Sequence, residues 1–434
     1  MATLQAGSAT ADISPRDSQF LFGYPHVSRY STGVHDALLT SALYLSDGQT
    51  QVMFIANDII FVPKELARRV RGLIEERTGI PSANIMITAT HTHSGPKTVD
   101  YLSNEDDPTV PNTDPAYVSL FEDRILEVAT AAHRRAGPAE VGLAVADGIG
   151  VGANRRNASG PADPEVPVLM VRSGGEPIAC MVVYSMHPTV LHEDSTLISG
   201  DFPAMARRFL QRNLLGVACP VLYHTGPAGN QSPRHVVREH TFAEAERLGT
   251  MLGGAIARVI PSIEYVSEAA VEARCAFVDL PARTFPSVAK AKQRLDEAAA
   301  RLAQLQASGA PAREIRTAEV DWFGAEETLT LAKASDEGRL AAAISACLPA
   351  EVQAIRVGPW WFVGWPGELF VEYALAVKAR SPRTFVISLA NGELQGYIAT
   401  QEAEEMGGYE ASNALFAPQS GKKLVNTTLK LLLA

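Results

Sequence analysis

Two histidines one residue apart, His91 and His93, are the clearest candidates for chemistry in this chain. In an extended segment, residues i and i+2 project to the same side, so both imidazoles can enter one pocket. A third histidine, His187, and a carboxylate, Glu368, each follow an apolar run that reads as a strand, as the His-x-His pair does. Imidazole nitrogen and carboxylate oxygen suit zinc, and a catalytic zinc keeps a position open for water or substrate. Gly229-Asn230-Gln231-Ser232-Pro233 also follows a strand-like run. Its glycine would let backbone amides and the Ser232 hydroxyl approach a ligand closely. A serine that bonds only its own turn is the plainer alternative. Among the other histidines, His26, His35 and His192 are candidates for lining a pocket, and His224 and His235 flank the serine loop. His133 and His240 are expected on helix surfaces.

The elements that must carry these residues read as short apolar runs alternating with amphipathic helices. Strands are expected at 52–56, 85–89, 166–171, 180–184, 221–224, 354–357, 361–363 and 385–389. Helices are expected at 63–77, with a stop at Gly79, and at 117–135, 204–214, 243–259 and 370–380. The fold class is therefore α/β: a layered mixed sheet with flanking helices and the site at the strand carboxyl ends, where open α/β sheets assemble their sites. Residues 286–348 are rich in Ala, Glu, Lys and Arg, with a break at 308–312, and read as a helical hairpin inserted between two strands. Its charged faces predict a structural piece, or an arm for homo-oligomers, rather than a lid over substrate.

Composition narrows the partners. The 434 residues are 46% hydrophobic and 20% charged, a balance that can bury a sizeable core. The net charge of −10 excludes nucleic acid or an anionic membrane as the main partner, since both require a cationic surface. No apolar run approaches the roughly 18 to 20 residues that span a bilayer. The opening residues lack the basic and apolar regions of a secretory signal, so a cytoplasmic location is expected. Cys180, Cys219, Cys275 and Cys347 form no CxxC pair, which suggests neither a thiolate metal site nor a disulfide framework.

Several motifs, in order, give the chain a resemblance to a known family. They are Thr90-His91-Thr92-His93-Ser94-Gly95-Pro96, Ala153-Asn154-Arg155, His187-Pro188-Thr189, Gly200-Asp201-Phe202-Pro203, Gly229-Asn230-Gln231-Ser232-Pro233, Pro366-Gly367-Glu368, Gly396-Tyr397-Ile398-Ala399-Thr400 and Tyr409-Glu410-Ala411-Ser412. The stretch 6–15 also resembles the family's opening strand and turn. Together these motifs resemble the catalytic domain of the neutral, non-lysosomal ceramidases and their shorter bacterial relatives.

The resemblance implies one zinc ion per chain, held by His91, His187, Glu368 and Tyr397. It implies His93 as a second catalytic histidine, Arg155 as a catalytic and substrate-binding arginine, and Ser232 as a site serine, with Tyr409 and Asn230 binding substrate. It also implies hydrolysis of a carboxylic amide bond in a small or amphiphilic substrate. Zinc-activated water would attack, with His93, Tyr397 and Ser232 assisting. Attack by Ser232 itself is the other route. An ester or lactone hydrolase would use the same machinery, and a non-catalytic metal-binding or ligand-binding relative is a further alternative. The chain is expected to be a single domain over 1–434, without the β-sandwich domain that follows in the long enzymes.

Overall fold

The computed structural model describes residues 3–433. Three mixed sheets repeat one plan. In the first, Ile85–Ala89, Gln51–Asn57, Leu39–Ser46, Gln5–Asp12 and Gly137–Pro138 lie side by side. The second runs Val221–Thr225, Glu176–Tyr184, Glu165–Ser173, Glu140–Asp147. The third runs Val271–Val278, Ala350–Val357, Trp360–Gly364, Thr384–Ile387. Each sheet contains antiparallel neighbours and one parallel pair: Met53 opposite Ile85, Cys180 opposite Val221, and Trp361 opposite Thr384. A parallel pair needs a crossover, and here the crossovers contain the helices Lys64–Thr78, Asp201–Leu210 and Val371–Lys378.

Side-chain alternation along the strands explains how the sheets assemble. Met53, Ile55, Ile85 and Ile87 face the helices Lys64–Thr78 and Pro115–Arg134, while Phe54 and Met86 face the other way. There they meet Val183 and Leu222 of the second sheet and Ile355, Phe362 and Ile387 of the third in one shared core. The outer faces of the second and third sheets are covered in the same manner. Phe202 and Leu248 pack on the second sheet, and Val377 and Leu424 on the third. Because each parallel pair enters the same core, all three pairs present their carboxyl ends to one region.

The strand 85–89 is observed as read, and the others lie within a few residues of their expected bounds. The helix expected at 204–214 starts earlier, at Asp201, with Pro203 in its first turn, where a missing N–H costs nothing. The insertion between Val271–Val278 and Ala350–Val357 is a hairpin of Val288–Ala307 and Ala312–Asp336, followed by a further short helix, Leu340–Cys347. The two strands that flank it pair with each other. All four cysteines are free. No helix among the described residues is long and apolar enough to cross a membrane.

Candidate active site

The segment after Ile85–Ala89 turns sharply. His91 adopts a left-handed backbone, φ 66°, rare for a residue with a side chain, and its N–H donates to the Ile59 carbonyl at 2.9 Å. Its ring Nδ1 meets the Ile60 carbonyl at 2.9 Å, and Nδ1 of His187 meets the Ala228 carbonyl at 2.6 Å. A carbonyl can only accept, so in both rings Nδ1 carries the proton and Nε2 carries the lone pair. Those two Nε2 atoms lie 3.2 Å apart, and each is 3.1 Å from Oε2 of Glu368. His93 adds a third imidazole, its Nε2 3.4 Å from that of His91. Ligand atoms of His91, His93 and His187 all lie within 4.8 Å of one another, so this buried group could hold a metal ion.

The electrostatics agree with that donor set. Burial pushes the Glu368 carboxyl up, but the facing imidazoles outweigh it and hold the group well below the usual carboxylate range. Burial and the Arg155 charge lower His187 to about 4 against the pull of Glu368, and burial together with the neighbouring imidazoles lowers His93 well below its ordinary value. His187 and His93 are therefore neutral near pH 7 and the Glu368 carboxylate is charged. Ligand atoms of His91, His187 and Glu368 face one point. The donor set fits zinc.

Tyr397 sits beside Glu368 because the two lie opposite each other in a short parallel ladder. Its phenol is buried and raised by that burial and by the Glu368 charge, so it keeps its proton. Arg155 stands 5.3 Å over the Tyr397 ring, and its Nε donates to Oε1 of Glu410 at 2.8 Å. Oε2 of Glu410 accepts from Arg156, also at 2.8 Å. Tyr409, 6.0 Å from Tyr397 between ring centroids, closes the wall. Two cavities meet at His93, Tyr397 and Tyr409. One, of about 60 Å³, is walled by Phe22, Phe61 and Tyr101 and contains His91 and Glu368; the other, of about 290 Å³, contains Arg155 and Ser232.

Some expectations need correction. Asn230 does not line either cavity: its Oδ1 accepts from the Val371 and Gln231 nitrogens, and its Nδ2 donates to Glu372 at 2.8 Å. Its polar atoms are spent on holding the serine loop to the Glu368 segment. Gly229 serves the same packing, since a Cβ there would lie 2.9 Å from the Leu369 carbonyl oxygen. Ser232 does face the second cavity, while its Oγ also accepts from the Arg234 N–H at 3.3 Å, so both readings of this serine describe part of it. His240 precedes its helix rather than lying on it, and lines the second cavity together with His192. His133 packs edge-on against Tyr44, and His224 is sealed in the core on the Thr88 hydroxyl. His235 accompanies the Arg155 carbonyl at 3.3 Å, and His35 stacks on Phe242.

The insertion is not remote from the site. Its second helix supplies Arg316, Val320 and Phe323 to the larger cavity and Glu327 to the smaller, and Trp322 packs on His26. Sequence reasoning also missed Gly23 and Tyr24, which line both cavities. Gly23 has φ 121°, and a Cβ there would fall 2.4 Å from Nδ1 of His93. Only glycine lets the chain pass so close to that ring. Arg234 follows Ser232 by two residues and Glu410 follows Tyr409, so those two were within reach of the motifs.

A buried pocket of imidazoles and one carboxylate, collected where strands of three sheets end, is an arrangement in an α/β fold that could hold a metal ion. The family model described as "Neutral/alkaline non-lysosomal ceramidase, N-terminal" matches residues 4–220, and the chain belongs to this family. A neutral ceramidase of Mycobacterium tuberculosis (strain ATCC 25618 / H37Rv) is 26% identical over an alignment of 236 residues that covers 49% of this chain and 36% of that protein. The match therefore spans well under two thirds of that relative's length. The crystal structure of neutral ceramidase from Pseudomonas aeruginosa superposes with a TM-score of 0.78 at 19% identity, covering 100% of this chain and 74% of the other. A ceramidase complexed with C2 gives 0.76 at 17%, covering 100% and 75%. At these identities the likeness is one of fold.

Proposed function

We propose that this chain is a zinc-dependent hydrolase of a carboxylic amide bond in a small or amphiphilic substrate. Membership of a ceramidase family supports the reaction class. The observation that carries the metal is the convergence of Nε2 of His91, Nε2 of His187 and Oε2 of Glu368 at 3.1–3.2 Å. His91, His187, Glu368 and Tyr397 would hold the ion. Zinc at that point would polarise the substrate carbonyl and lower the pKa of a water toward neutrality.

The chain's own residues supply the rest. Tyr397, still protonated, can donate to the oxygen that gains charge as the carbonyl is attacked. His93 is neutral, and its Nε2 faces the other imidazoles, 3.4 Å from that of His91, where it can serve the reacting group. Arg155, fixed by Glu410, aims its fork at the substrate beyond Tyr397. No imidazole or carboxylate bonds the Ser232 hydroxyl among the described residues, which favours water as the nucleophile and leaves Ser232 to orient the substrate. The reading treats 1–434 as one catalytic unit with the 286–348 helices inserted, since all three sheets contribute to the pocket.

The test is a matched pair of substrates, one acyl group presented as an amide and as an ester, assayed on chelator-stripped and zinc-restored protein. Amide hydrolysis should vanish on stripping and return with zinc. Amide turnover that persists in stripped protein would defeat the metal assignment, and cleavage of the ester alone would defeat the amide assignment.

A further inference from the structure

The larger cavity has a charge character opposite to that of the molecule. The chain carries a net charge of −10, yet Arg155, Arg234 and Arg316 line this cavity against one carboxylate, Glu410. The nearby acids are largely committed. Glu410 is held by Arg155 and Arg156, and Glu193 and Glu319 are both held by Arg316. Two guanidinium groups retain unspent capacity. Nη2 of Arg155 is buried without a partner, and the guanidinium of the exposed Arg234 bonds only the Thr317 hydroxyl, at 3.1 Å, with no carboxylate partner among the described residues. A buried donor left unpaired is a cost that a ligand can relieve.

The local field points the same way. Burial lowers Arg234 below the usual arginine value, and the charges of Arg313, Arg155 and Arg316 add to that effect. Burial together with the charges of Arg316, His240 and Arg29 lowers His192 to about 3. A guanidinium with free N–H groups is built to take a carboxylate through paired hydrogen bonds.

We infer that the larger cavity is an anion subsite in which Arg155 and Arg234 bind a carboxylate carried by the substrate. Arg234 is then a specificity-determining residue. The inference rests on the amide-hydrolase reading and narrows its substrate class to amides bearing a carboxylate on the part that lies in this cavity. The carboxylate could sit on the amine side or on the acyl side of the scissile bond. The smaller, aromatic-walled cavity would take the uncharged part.

Two probe series separate those sides. The first is the hexanoyl amides of glycine, ethanolamine, ethylenediamine and propylamine; the second is the mono-propylamide of adipic acid and the propylamide of hexanoic acid. With zinc-replete full-length protein, kcat/KM for the carboxylate member of one series should exceed that of its uncharged analogue by about tenfold or more. Added salt should shrink the preference. Arg234→Gln should raise KM for the carboxylate probe by about tenfold with kcat little changed, and should leave the uncharged probes as they were. Arg234→Lys should recover part of the loss.

Calorimetric binding of hexanoylglycine and of the adipic monoamide is measured on the same proteins. Arg234-dependent binding without hydrolysis of any probe would leave the anion subsite standing and overturn the amide-hydrolase reading. Hydrolysis with no preference for carboxylate, or an equal effect of Arg234→Gln on charged and uncharged probes, would overturn the subsite while sparing the reaction. Absence of Arg234-dependent binding at millimolar probe, in both series, would also overturn it.

Discussion

Replacing Glu410 by Gln tests whether the pocket depends on a buried carboxylate that touches no reacting atom. Glu410 holds Arg155 and Arg156 through separate oxygens, each at 2.8 Å, and the side chains involved are only 8%, 16% and 18% exposed. Gln keeps the shape and one acceptor but turns an amide N–H toward one arginine. Arg156 still has the Gly407 carbonyl at 2.8 Å, so it should stay in place. Arg155 keeps only its contact with Tyr397 and no second carbonyl or carboxylate, so it should move. Removing one partner of a buried ion pair costs about 3–5 kcal/mol. The retained acceptor and the Gly407 carbonyl place Glu410→Gln near the lower end, at about 3 kcal/mol.

Urea denaturation measures that difference, with the midpoint falling and the slope unchanged. A shift of about 1 Å in a positioning group can cost about 10²-fold in turnover, so kcat/KM should fall by tens of fold while bound zinc is retained. The pH dependence has a definite sign. Burial raises the Glu410 carboxyl, but the Arg155 and Arg156 charges lower it further, so its folded value lies below its unfolded one. The stabilisation is thus complete above the ordinary Glu range near about 4.3 and is lost as pH falls through the depressed folded value. Wild type and Glu410→Gln should converge in stability in strong acid and differ most at neutral pH. A midpoint unchanged at pH 7, or full loss of stability with kinetics intact, would refute the positioning role.

Two further outcomes are expected. His187→Ala removes one of three converging donors, so elemental analysis should show zinc lost while circular dichroism shows the fold kept; full occupancy in the variant would remove His187 from the ligand set. Ser232→Ala should lower turnover on the order of 10²–10³-fold without abolishing it, the cost of one lost donor. A covalent acyl group trapped on a peptide containing Ser232 would instead make that serine the nucleophile.

How far such features can be read from sequence depends on what encodes them. The strand Ile85–Ala89, IMITA, is apolar but for Thr88 and buried throughout, and shows itself directly. Gln5–Asp12 is built of small and polar residues, QAGSATAD, and carries no apolar periodicity; only its resemblance to the family's opening strand marks it. The closing of three sheets on one core is a matter of long-range pairing, which local pattern does not encode. The site divides in the same way. His91, His93, His187 and Glu368 stand out as polar residues stopping apolar strands, whereas Tyr397 and Tyr409 are visible only through the family motifs. Phe323 and Glu327 lie in a helix whose composition resembles any solvated helix, and nothing local shows which face turns inward.

His91 and His187 are 96 residues apart in sequence, and His187 and Glu368 are 181 apart. Each arrives on a different sheet, so the donor set exists only after all three sheets have closed. Contacts of such span are the slowest to form, because loop closure must be completed before they return anything. Metal capture should therefore be a late event in folding, and zinc uptake should report completion rather than initiation. A cation bound there would also cross-link distant parts of the chain, and its release under a chelator should speed the unfolding of the whole molecule rather than fray one edge of it.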